Sequence, residues 1–212
     1  MCSIFGSFSK DKIVELANLN MYRGQHSYSF SYYDPEIKNI TYMQRSFGPI
    51  PLDKIDIPEG QYCIAHMQAP TTDNKSASFI HPAMIGNGYL WHNGIIKDRW
   101  IKETIPNIEL SDFNTWDTYL ILRQYGKTKD LNDIDGTFSC LYYQVDEGLQ
   151  LFRNEISPMF IDDDSNISST KFSNSRSLAP NIVWKFVPGQ PDISKLHEFK
   201  TVENPYFFME TA

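Results

Sequence analysis

The sequence predicts an α+β fold in which antiparallel strands outnumber helices. Short alternating or apolar segments typical of strands fill both ends of the chain, and only two segments carry apolar residues at the 3.6-residue spacing of a helix. The elements follow the order strand, helix, strands, helix, many strands, which differs from the regular alternation of βαβ units. The sequence also lacks a GxGxxG motif and a P-loop, so a dinucleotide-binding fold is excluded.

The first quarter of the chain supplies four elements. A short apolar strand is expected at Cys2–Phe8 and an amphipathic helix at Lys10–Met21. Ser27–Tyr33 alternates serine with aromatic residues and is typical of a strand, and a second strand, Ile37–Phe47, follows an Asp-Pro turn. The residues at helical spacing are Ile13, Leu16, Ala17 and Met21.

The rest of the chain is expected to contain six strands and one more helix. The short strands Tyr62–Met67 and Tyr89–His92 precede a helix that begins after Asn114 and stops at Gly126, a residue type favoured at helix ends. Trp116, Tyr119 and Leu120 lie on one face of this helix. The last four strands are expected at Thr137–Val145, Leu149–Asn154, Met159–Ile161 and Ile182–Val187.

The composition limits the class of protein. With 212 residues, of which 41% are hydrophobic, the chain can form a sizeable core. A net charge of −7 and scattered Lys and Arg residues argue against nucleic acid or an anionic membrane as a partner. No apolar run approaches about 18 residues and no leader pattern is present, so we expect a soluble, cytoplasmic protein.

Several reactive residue types are predicted to be structural. Cys63 and Cys140 lie in apolar strand-like segments and are interpreted as small buried residues. The odd number of cysteines and the lack of a CxxC motif fit a reducing compartment. The acidic run at 162–166 is interpreted as a turn, because no spaced set of ligands for a cation follows it. The histidines also lack the spacing of metal ligands.

Cys2 differs from Cys63 and Cys140 in the chemistry that it could perform. Removal of the initiator Met1 would leave a thiol and a free α-amine on one residue, with ordinary pKa values of about 8.5 and about 7.7–8.0. Such a residue combines a nucleophile with a base, as N-terminal-nucleophile enzymes do. The alternative is a small buried residue on the first strand, and Cys2 alone does not decide between the two.

Three polar clusters could accompany such a nucleophile. Residues 22–27 form a glycine-containing turn beside the cation of Arg23, and residues 64–71 form a strand that runs into a polar loop. The third cluster is expected to end a strand at Asn93-Gly94, because the residues that follow have a helix-like pattern. The side-chain amide of Asn93 and the N–H of Gly94 would then face a cleft and suit an oxyanion. Ordinary turns and a strand end closed by proline are the alternatives.

Asp117 lies at the predicted start of the second helix, three residues after Asn114. In one interpretation Asn114 caps the helix and Asp117 completes a capping box. In the other, the carboxylate faces a cleft and binds an ammonium group. The two interpretations are compatible, and both stay open here.

Together these residues resemble the glutaminase domain of class II glutamine amidotransferases, which include glucosamine-6-phosphate synthase and asparagine synthetase. The motifs occur in the family's order from Cys2 to Gln190, so we expect a domain at 2–190 and a C-terminal tail at 191–212. The matching segments are the Cys-Ser-Ile-Phe-Gly opening, Arg23-Gly24-Gln25-His26-Ser27, 65–71, His81-Pro82, His92-Asn93-Gly94-Ile95-Ile96, Thr115-Trp116-Asp117-Thr118, later runs at 135–139, 153–159 and 172–175, and Val187-Pro188-Gly189.

The resemblance implies a four-layer αββα sandwich, the N-terminal-nucleophile hydrolase fold, and hydrolysis of the glutamine side-chain amide without a cofactor or metal. It implies that Cys2 attacks the amide carbon and that its α-amine carries the proton to the leaving ammonia. It further implies that Asn93 and the N–H of Gly94 hold the oxyanion, that Asp117 binds the α-ammonium group and that Arg23 braces the nucleophile. The implied substrate-binding residues are Arg23, His66, Gln68, Thr71 and Asp117.

Two departures from the family bear on the substrate. Gln68 stands where family members carry an arginine that clamps the α-carboxylate of glutamine, and Ser3 replaces the glycine after the nucleophile. A neutral amide cannot form the bidentate ionic pair. Either Thr71 and another cation such as Arg45 replace the clamp, or glutamine binds weakly, or the substrate is a different amide.

The family's synthase domain does not follow in this sequence, so we expect a separate synthase subunit to receive the ammonia. The aromatic tail at 191–212 either packs on its own domain or docks to that subunit. Three rival functions also stay open. They are an N-terminal-nucleophile hydrolase of another amide, a non-catalytic binding module of the same fold, and a hydrolase that pairs the cysteine with His26, His66 or His92 as base.

Overall fold

Two antiparallel sheets packed face to face carry most of the chain in the computed structural model, which describes residues 2–69, 77–97, 100–101, 116–190 and 192–202. In chain order the elements are β1 (Ser3–Ser7), α1 (Lys10–Asn20), β2 (Ser27–Asp34), β3 (Asn39–Phe47), β4 (Tyr62–Gln68), β5 (Ala83–Ile85), β6 (Gly88–Ile96), α2 (Asp117–Thr128), β7 (Gly136–Gln144), β8 (Gly148–Arg153), β9 (Phe160–Ile161), β10 (Ile167–Ser168), β11 (Arg176–Ser177), β12 (Ile182–Phe186) and β13 (Ser194–Glu198), with short 3-10 turns at Met21–Arg23, Leu52–Lys54 and Ala77–Phe79.

The strand order brings the N-terminus to the centre of the molecule. The first sheet has the order β11-β9-β10-β1-β4-β2-β3, so β1 is its middle strand, and the second sheet has the order β13-β12-β8-β7-β6-β5. In the first sheet His66 lies opposite both Ile4 and Ser29. In the second sheet Asn93 lies opposite Ser139. β1 also contacts β6 across the two sheets, which places the start of the chain beside the middle of β6.

Alternation along each strand separates the layers, because successive side chains of a strand point to opposite faces. Ile64 of β4 packs between the sheets with Trp91 and Leu141. Its neighbour Cys63 packs on the outer face with Ile13 of α1. On the outer face of the second sheet, α2 covers a separate apolar cluster. The layers are therefore α1, first sheet, second sheet and α2, which confirms the predicted αββα sandwich.

The first helix follows its predicted span with one difference in its buried face. Ser9 caps the helix, and its side chain accepts a hydrogen bond from the N–H of Lys12. Met21 was expected on the buried face but is 40% exposed. Asn20 is buried instead, because its Nδ2 donates to the carbonyl of Leu16 at 2.8 Å and to Ser168 Oγ at 2.9 Å. A satisfied amide thus takes the place expected for an apolar side chain.

The second helix differs from prediction at both ends. Its N-cap is Trp116, whose side chain makes no capping hydrogen bond, and the expected cap Asn114 lies outside the described residues. It continues past Gly126 and ends at Lys129, whose backbone is left-handed with φ 58°. Lys129 is held there by its Nζ, which contacts Glu147 and donates to the hydroxyl of Tyr142 at 3.0 Å. Tertiary contacts therefore decide where this helix stops.

Each of the long strands was predicted, but most of the short strands were missed. Tyr89–His92 was too short a prediction, because β6 continues to Ile96. The short strands β5, β10 and β11 and the strand β13 were not predicted. β13 pairs with β12 at the edge of the second sheet, and the following Phe199 is 5% exposed and stacks on Phe138 at 5.8 Å between centroids. The described part of the tail thus packs on its own domain.

The remaining structural predictions can be compared directly. Cys63 and Cys140 are free and fully buried, as expected. The acidic run forms a turn in which Asp162 Oδ1 accepts the N–H groups of Asp164 at 3.0 Å and Asn166 at 2.8 Å. Among the helices that the structure describes, none combines the length and the apolarity required to cross a lipid bilayer.

Truncation of Phe199 tests whether the described tail belongs to the folded domain. We expect Phe199→Ala to lower the free energy of unfolding by about 3–5 kcal/mol, because a buried aromatic ring is removed from a packed cluster. Leu196→Ala, in the preceding strand β13 and 46% exposed, is the control and should change it by less than about 0.5 kcal/mol. Urea denaturation measures both. Equal, small effects would show that the tail contributes nothing to the core.

Candidate active site

Cys2 lies directly before β1, between the two sheets. It is 6% exposed, and its Sγ is 3.9 Å from the carbonyl oxygen of Ala69. Burial raises the pKa of the Cys2 thiol to about 11, and the nearby Asp117 raises it further, while the contact with Ala69 and the charge of Arg23 oppose the shift. At neutral pH the sulfur is therefore a thiol, and it needs a base to become a nucleophile.

Arg23 connects this cysteine to the second sheet. The residue is 7% exposed; its Nε donates to the backbone carbonyl of Cys2 at 2.9 Å, and its Nη2 donates to Asn93 Oδ1 at 3.3 Å. Gly24 lets the turn that carries Arg23 approach the end of β4, because a Cβ at this position would lie 2.3 Å from the backbone nitrogen of Ala69. The glycine thus fixes the place from which the guanidinium reaches both sheets.

The orientation of the Asn93 amide follows from its partners. A guanidinium has only donors, so the oxygen of Asn93 must face Arg23 and the nitrogen must face away. Nδ2 donates to Ser139 Oγ at 3.3 Å, and the Ser139 hydroxyl contacts the Asn93 carbonyl at 3.4 Å. One N–H of the amide is used in this way. The second N–H belongs to a side chain that is fixed on two sides, which is the preorganisation that an oxyanion donor requires.

Gly94 does not form the expected turn, because it lies inside β6 and pairs with Phe138 of β7. The N–H and C=O of Phe138 both bond to Asn154 on the other side, at 3.3 and 3.0 Å. In an antiparallel ladder such a residue shares no hydrogen bond with its opposite, so the N–H of Gly94 points away from β7. A Cβ at Gly94 would lie 1.9 Å from the carbonyl oxygen of Thr137, which excludes any side chain.

Among the described residues, no strand pairs with β6 near Gly94 on the side that faces away from β7. β5 pairs with β6 only from Gly88 to Leu90. Two residues before Gly94, the carbonyl of His92 points to the same side and lies 3.1 Å from His66 Nε2. The N–H of Gly94 is therefore directed toward the region that contains Cys2 and the end of β4. Gly94 therefore still offers a backbone donor to this region, but from the edge of a strand and not from a turn.

A second group of polar side chains extends from the end of β4. Gln68 Oε1 accepts from Ser27 Oγ at 3.2 Å and lies 3.2 Å from His81 Nδ1. The His81 ring stacks on the ring of His66 at 4.0 Å between centroids. His81 Nε2 lies 3.0 Å from Thr118 Oγ1, at the start of α2. These contacts connect Gln68 to the helix that carries Asp117.

Asp117 is held by its own helix and by β6. Its Oδ1 accepts the N–H of Thr118 at 2.7 Å, and its Oδ2 accepts the N–H of Ile96 at 3.4 Å. The side chain of Asp117 remains 23% exposed, and Oδ2 lies 3.9 Å from His92 Nδ1. With Trp116 rather than Asn114 as the cap, the capping-box interpretation is wrong, and Asp117 keeps a carboxylate that is partly open to solvent.

The three buried histidines of this region are uncharged at neutral pH. Burial lowers the pKa of His66 to about 3. The pKa of His81 is lowered well below its usual range by burial and by the neighbouring His66, His92 and Arg45. Burial also lowers the pKa of His92, although the charge of Asp117 opposes this shift. The imidazoles therefore serve as hydrogen-bonding groups without a positive charge.

The structure brings together most of the predicted site residues. Cys2, Arg23 and Asn93 are joined by hydrogen bonds, and the Gly94 N–H faces the same region. Thr71 lies outside the described residues. Arg45, considered as a substitute clamp, uses Nη1 to donate to the carbonyls of Ile80 at 3.0 Å and Pro82 at 3.4 Å. The Cys2 thiol contacts Ala69 O rather than an imidazole among the described residues, and the His26 ring packs on Phe47, so the cysteine–histidine hydrolase gains no support.

Four polar residues of the site were not predicted. Thr118 and His81 stood inside motifs already noted, but spacing along the chain could not show that they meet. Ser139 could have been found from the strand alternation that places it inward, opposite Asn93. Ser27 could have been found in the same way from β2, whose serines face inward while its aromatic residues face α1. The four residues are Ser27, His81, Thr118 and Ser139.

The four-layer α+β architecture is similar to the fold of solved structures that are about twice as long as this chain. One solved structure similar to this chain is glutamine phosphoribosylpyrophosphate amidotransferase from B. subtilis, complexed with ADP and GMP, with a TM-score of 0.64, 15% identity and coverage of 92% of this chain and 49% of that chain. Another is described as the allosteric regulatory enzyme of purine biosynthesis, with a TM-score of 0.64, 14% identity and coverage of 92% and 49%.

This likeness shows the fold alone, and the chain spans about half the length of the two solved structures. No protein-family model matches the sequence, and the search of curated proteins finds no match.

The buried histidines predict a loss of stability in acid. Below pH 6.5 His66 is protonated in the unfolded chain, whereas in the folded chain it stays uncharged down to about pH 3. The free energy of unfolding should therefore decrease as the pH is lowered, by about 1.4 kcal/mol per pH unit for this residue. In His66→Gln the slope between pH 6 and pH 4 should be smaller by about that amount, and the two curves should run parallel above pH 7, as measured by urea denaturation. Identical slopes in acid would show that His66 is protonated in the folded state.

Proposed function

We propose that the chain is a glutamine amidotransferase of the N-terminal-nucleophile class, which hydrolyses the side-chain amide of glutamine to glutamate and ammonia. The observation that carries the proposal is the double contact of Arg23. One guanidinium holds the backbone carbonyl of Cys2 at 2.9 Å and the side chain of Asn93 at 3.3 Å, so the nucleophile and an oxyanion donor share one rigid support. The similarity of the fold to glutamine phosphoribosylpyrophosphate amidotransferase supports the same general class.

The first chemical step requires removal of Met1, which frees the α-amine of Cys2. Burial raises the pKa of the thiol in the chain that carries Met1, so a preformed thiolate is rare there, and we propose that the α-amine freed by removal of Met1 accepts the proton during attack. The sulfur forms a bond to the amide carbon, and the carbonyl electron pair moves to oxygen. Asn93 Nδ2 and the N–H of Gly94 then stabilise this oxyanion.

The tetrahedral intermediate collapses when the protonated amine gives its proton to the leaving nitrogen. The carbon–nitrogen bond breaks, ammonia departs, and a thioester of Cys2 remains. Water then attacks the thioester with the amine again as base, and the carbon–sulfur bond breaks to release glutamate and the free thiol. Each proton taken from sulfur or water is returned within the cycle, so the step needs no cofactor.

The binding part of the site is proposed at Asp117 and the end of β4. The carboxylate of Asp117 is partly exposed and suits the α-ammonium group of the substrate. On the other side, Gln68 and His66 present uncharged groups, and Thr71 follows in the chain. The ammonia is proposed to pass to an acceptor on a separate synthase subunit. A chain that retained Met1 would have its amine acylated and would instead be a binding module.

One observation favours a second candidate, hydrolysis of a different amide. Gln68 Oε1 already accepts hydrogen bonds from Ser27 and His81, and the Nη1 of Arg45 is bound to two backbone carbonyls. Neither the neutral amide of Gln68 nor the bound Nη1 of Arg45 therefore provides a strong ionic contact with an α-carboxylate. Ammonia release from glutamine, asparagine and γ-glutamyl compounds compares the two candidates. A clear preference for a compound other than glutamine would favour the second.

Covalent labelling tests the nucleophile and the substrate class together. We expect 6-diazo-5-oxo-norleucine, a reactive analogue of glutamine, to add once to the mature chain in intact-mass measurements. The same spectra report whether Met1 has been removed. Cys2→Ala should give no adduct, whereas Cys63→Ala, which removes a fully buried thiol, should still be labelled once. An adduct that persists in Cys2→Ala contradicts the proposed nucleophile.

The oxyanion role of Asn93 has its own prediction. We expect Asn93→Ala to lower kcat for ammonia release by about two to three orders of magnitude, since one oxyanion donor is worth about 2.7–4 kcal/mol of barrier. Gln25→Ala, an exposed change in the neighbouring turn, is the control and should leave kcat unaltered. Circular dichroism checks that both variants are folded. Unchanged turnover in Asn93→Ala would remove this residue from the site.

A further inference from the structure

The polar contacts behind the candidate site form one continuous connection between two distant parts of the chain. At one end Gln68 closes β4, and at the other Asp117 opens α2. His81 and Thr118 join them, with distances of 3.2 Å from Gln68 Oε1 to His81 Nδ1 and 3.0 Å from His81 Nε2 to Thr118 Oγ1. Thr118 then contacts Asp117 Oδ1 through its backbone N–H at 2.7 Å.

The proton positions along this connection follow from the groups involved. The oxygen of Gln68 can only accept, so Nδ1 of His81 carries the proton and donates. In an uncharged imidazole the other nitrogen is then an acceptor, and the hydroxyl of Thr118 donates to it. His92 Nδ1 and Asp117 Oδ1 also lie near the Thr118 hydroxyl, at 3.1 and 3.3 Å from its oxygen. From Gln68 to Thr118 each hydrogen bond has one donor and one acceptor when His81 is neutral and the single hydroxyl proton of Thr118 faces His81 Nε2.

The surroundings of His81 hold the ring in place and disfavour a charge. One face stacks on His66 at 4.0 Å, and the ring of Trp116 meets it edge-on at 5.1 Å between centroids. His81 and Thr118 are 3% and 0% exposed. Burial and the nearby groups His66, His92 and Arg45 lower the pKa of His81 well below its usual range. The ring is therefore held in one position and is uncharged.

We infer that His81, acting with the hydroxyl of Thr118, is a positioning residue that sets the side chains of Gln68 and Asp117 relative to each other. This inference rests on the proposed function only in its consequence for the substrate. The connection touches neither Cys2 nor Asn93 through the hydrogen bonds that the structure describes. Its loss should therefore weaken binding of an amide substrate and leave the bond-breaking steps nearly unchanged.

A matched pair of variants tests the connection in the full chain. Thr118→Val removes the hydroxyl at nearly constant shape, whereas Thr118→Ser keeps it. In isotope-labelled protein we expect the side-chain amide signal of Gln68 and the carboxyl carbon signal of Asp117 both to move in Thr118→Val and both to return in Thr118→Ser. Circular dichroism confirms that both variants are folded. A Gln68 signal that does not respond to Thr118→Val would overturn the inference, with or without enzymatic activity.

Kinetics give a second and separate result. For ammonia release from glutamine, Thr118→Val should raise KM about fivefold to tenfold, the size of one lost hydrogen bond, and change kcat by less than about threefold. Thr118→Ser should restore KM. His81→Asn, which keeps a donor toward Gln68, and His81→Gln, which keeps a group toward Thr118, should each raise KM. A normal KM in Thr118→Val contradicts the inference, whereas lack of turnover in the unaltered chain counts against the proposed function alone.

Discussion

The contact of one buried guanidinium with both sheets is the constraint on which the candidate site depends. Arg23 reaches the carbonyl before β1 and the side chain in the middle of β6, and it can do so only because Gly24 allows its turn to approach the end of β4. A buried charge of this kind is tolerated because its donors have acceptors. The relative positions of Cys2 and Asn93, the proposed nucleophile and oxyanion donor, are therefore tied to the packing of the two sheets.

The layered fold could be predicted because alternation along the strands is strong. In β2 the residues Tyr28, Phe30 and Tyr32 all face α1, while the intervening serines face the second sheet. A shift by one residue would reverse both faces, so the register is well specified. Cys2, Arg23 and Asn93 could be proposed as a group for another reason, because each stands in a short motif that resembles one family in a fixed order.

Other features depend on contacts between residues far apart in the sequence. Asn93-Gly94 has the composition of a turn but lies within β6, because β7 supplies a partner strand more than forty residues later. The end of α2 at Lys129 is set by Glu147 and Tyr142 rather than by the glycine before it. The link from Gln68 to Asp117 passes through His81 and Thr118, which no local pattern connects. Local propensity cannot predict such long-range contacts.

The high pKa of the buried thiol, about 11, also bears on how the protein would age in a cell. Peroxide and nonspecific electrophiles attack the thiolate, so a sulfur that is held as a buried thiol is protected from much of this damage. The resting protein should therefore survive oxidative stress that inactivates enzymes with permanently ionised cysteines. Inhibitors directed at Cys2 would likewise need the shape of the substrate in addition to a reactive group.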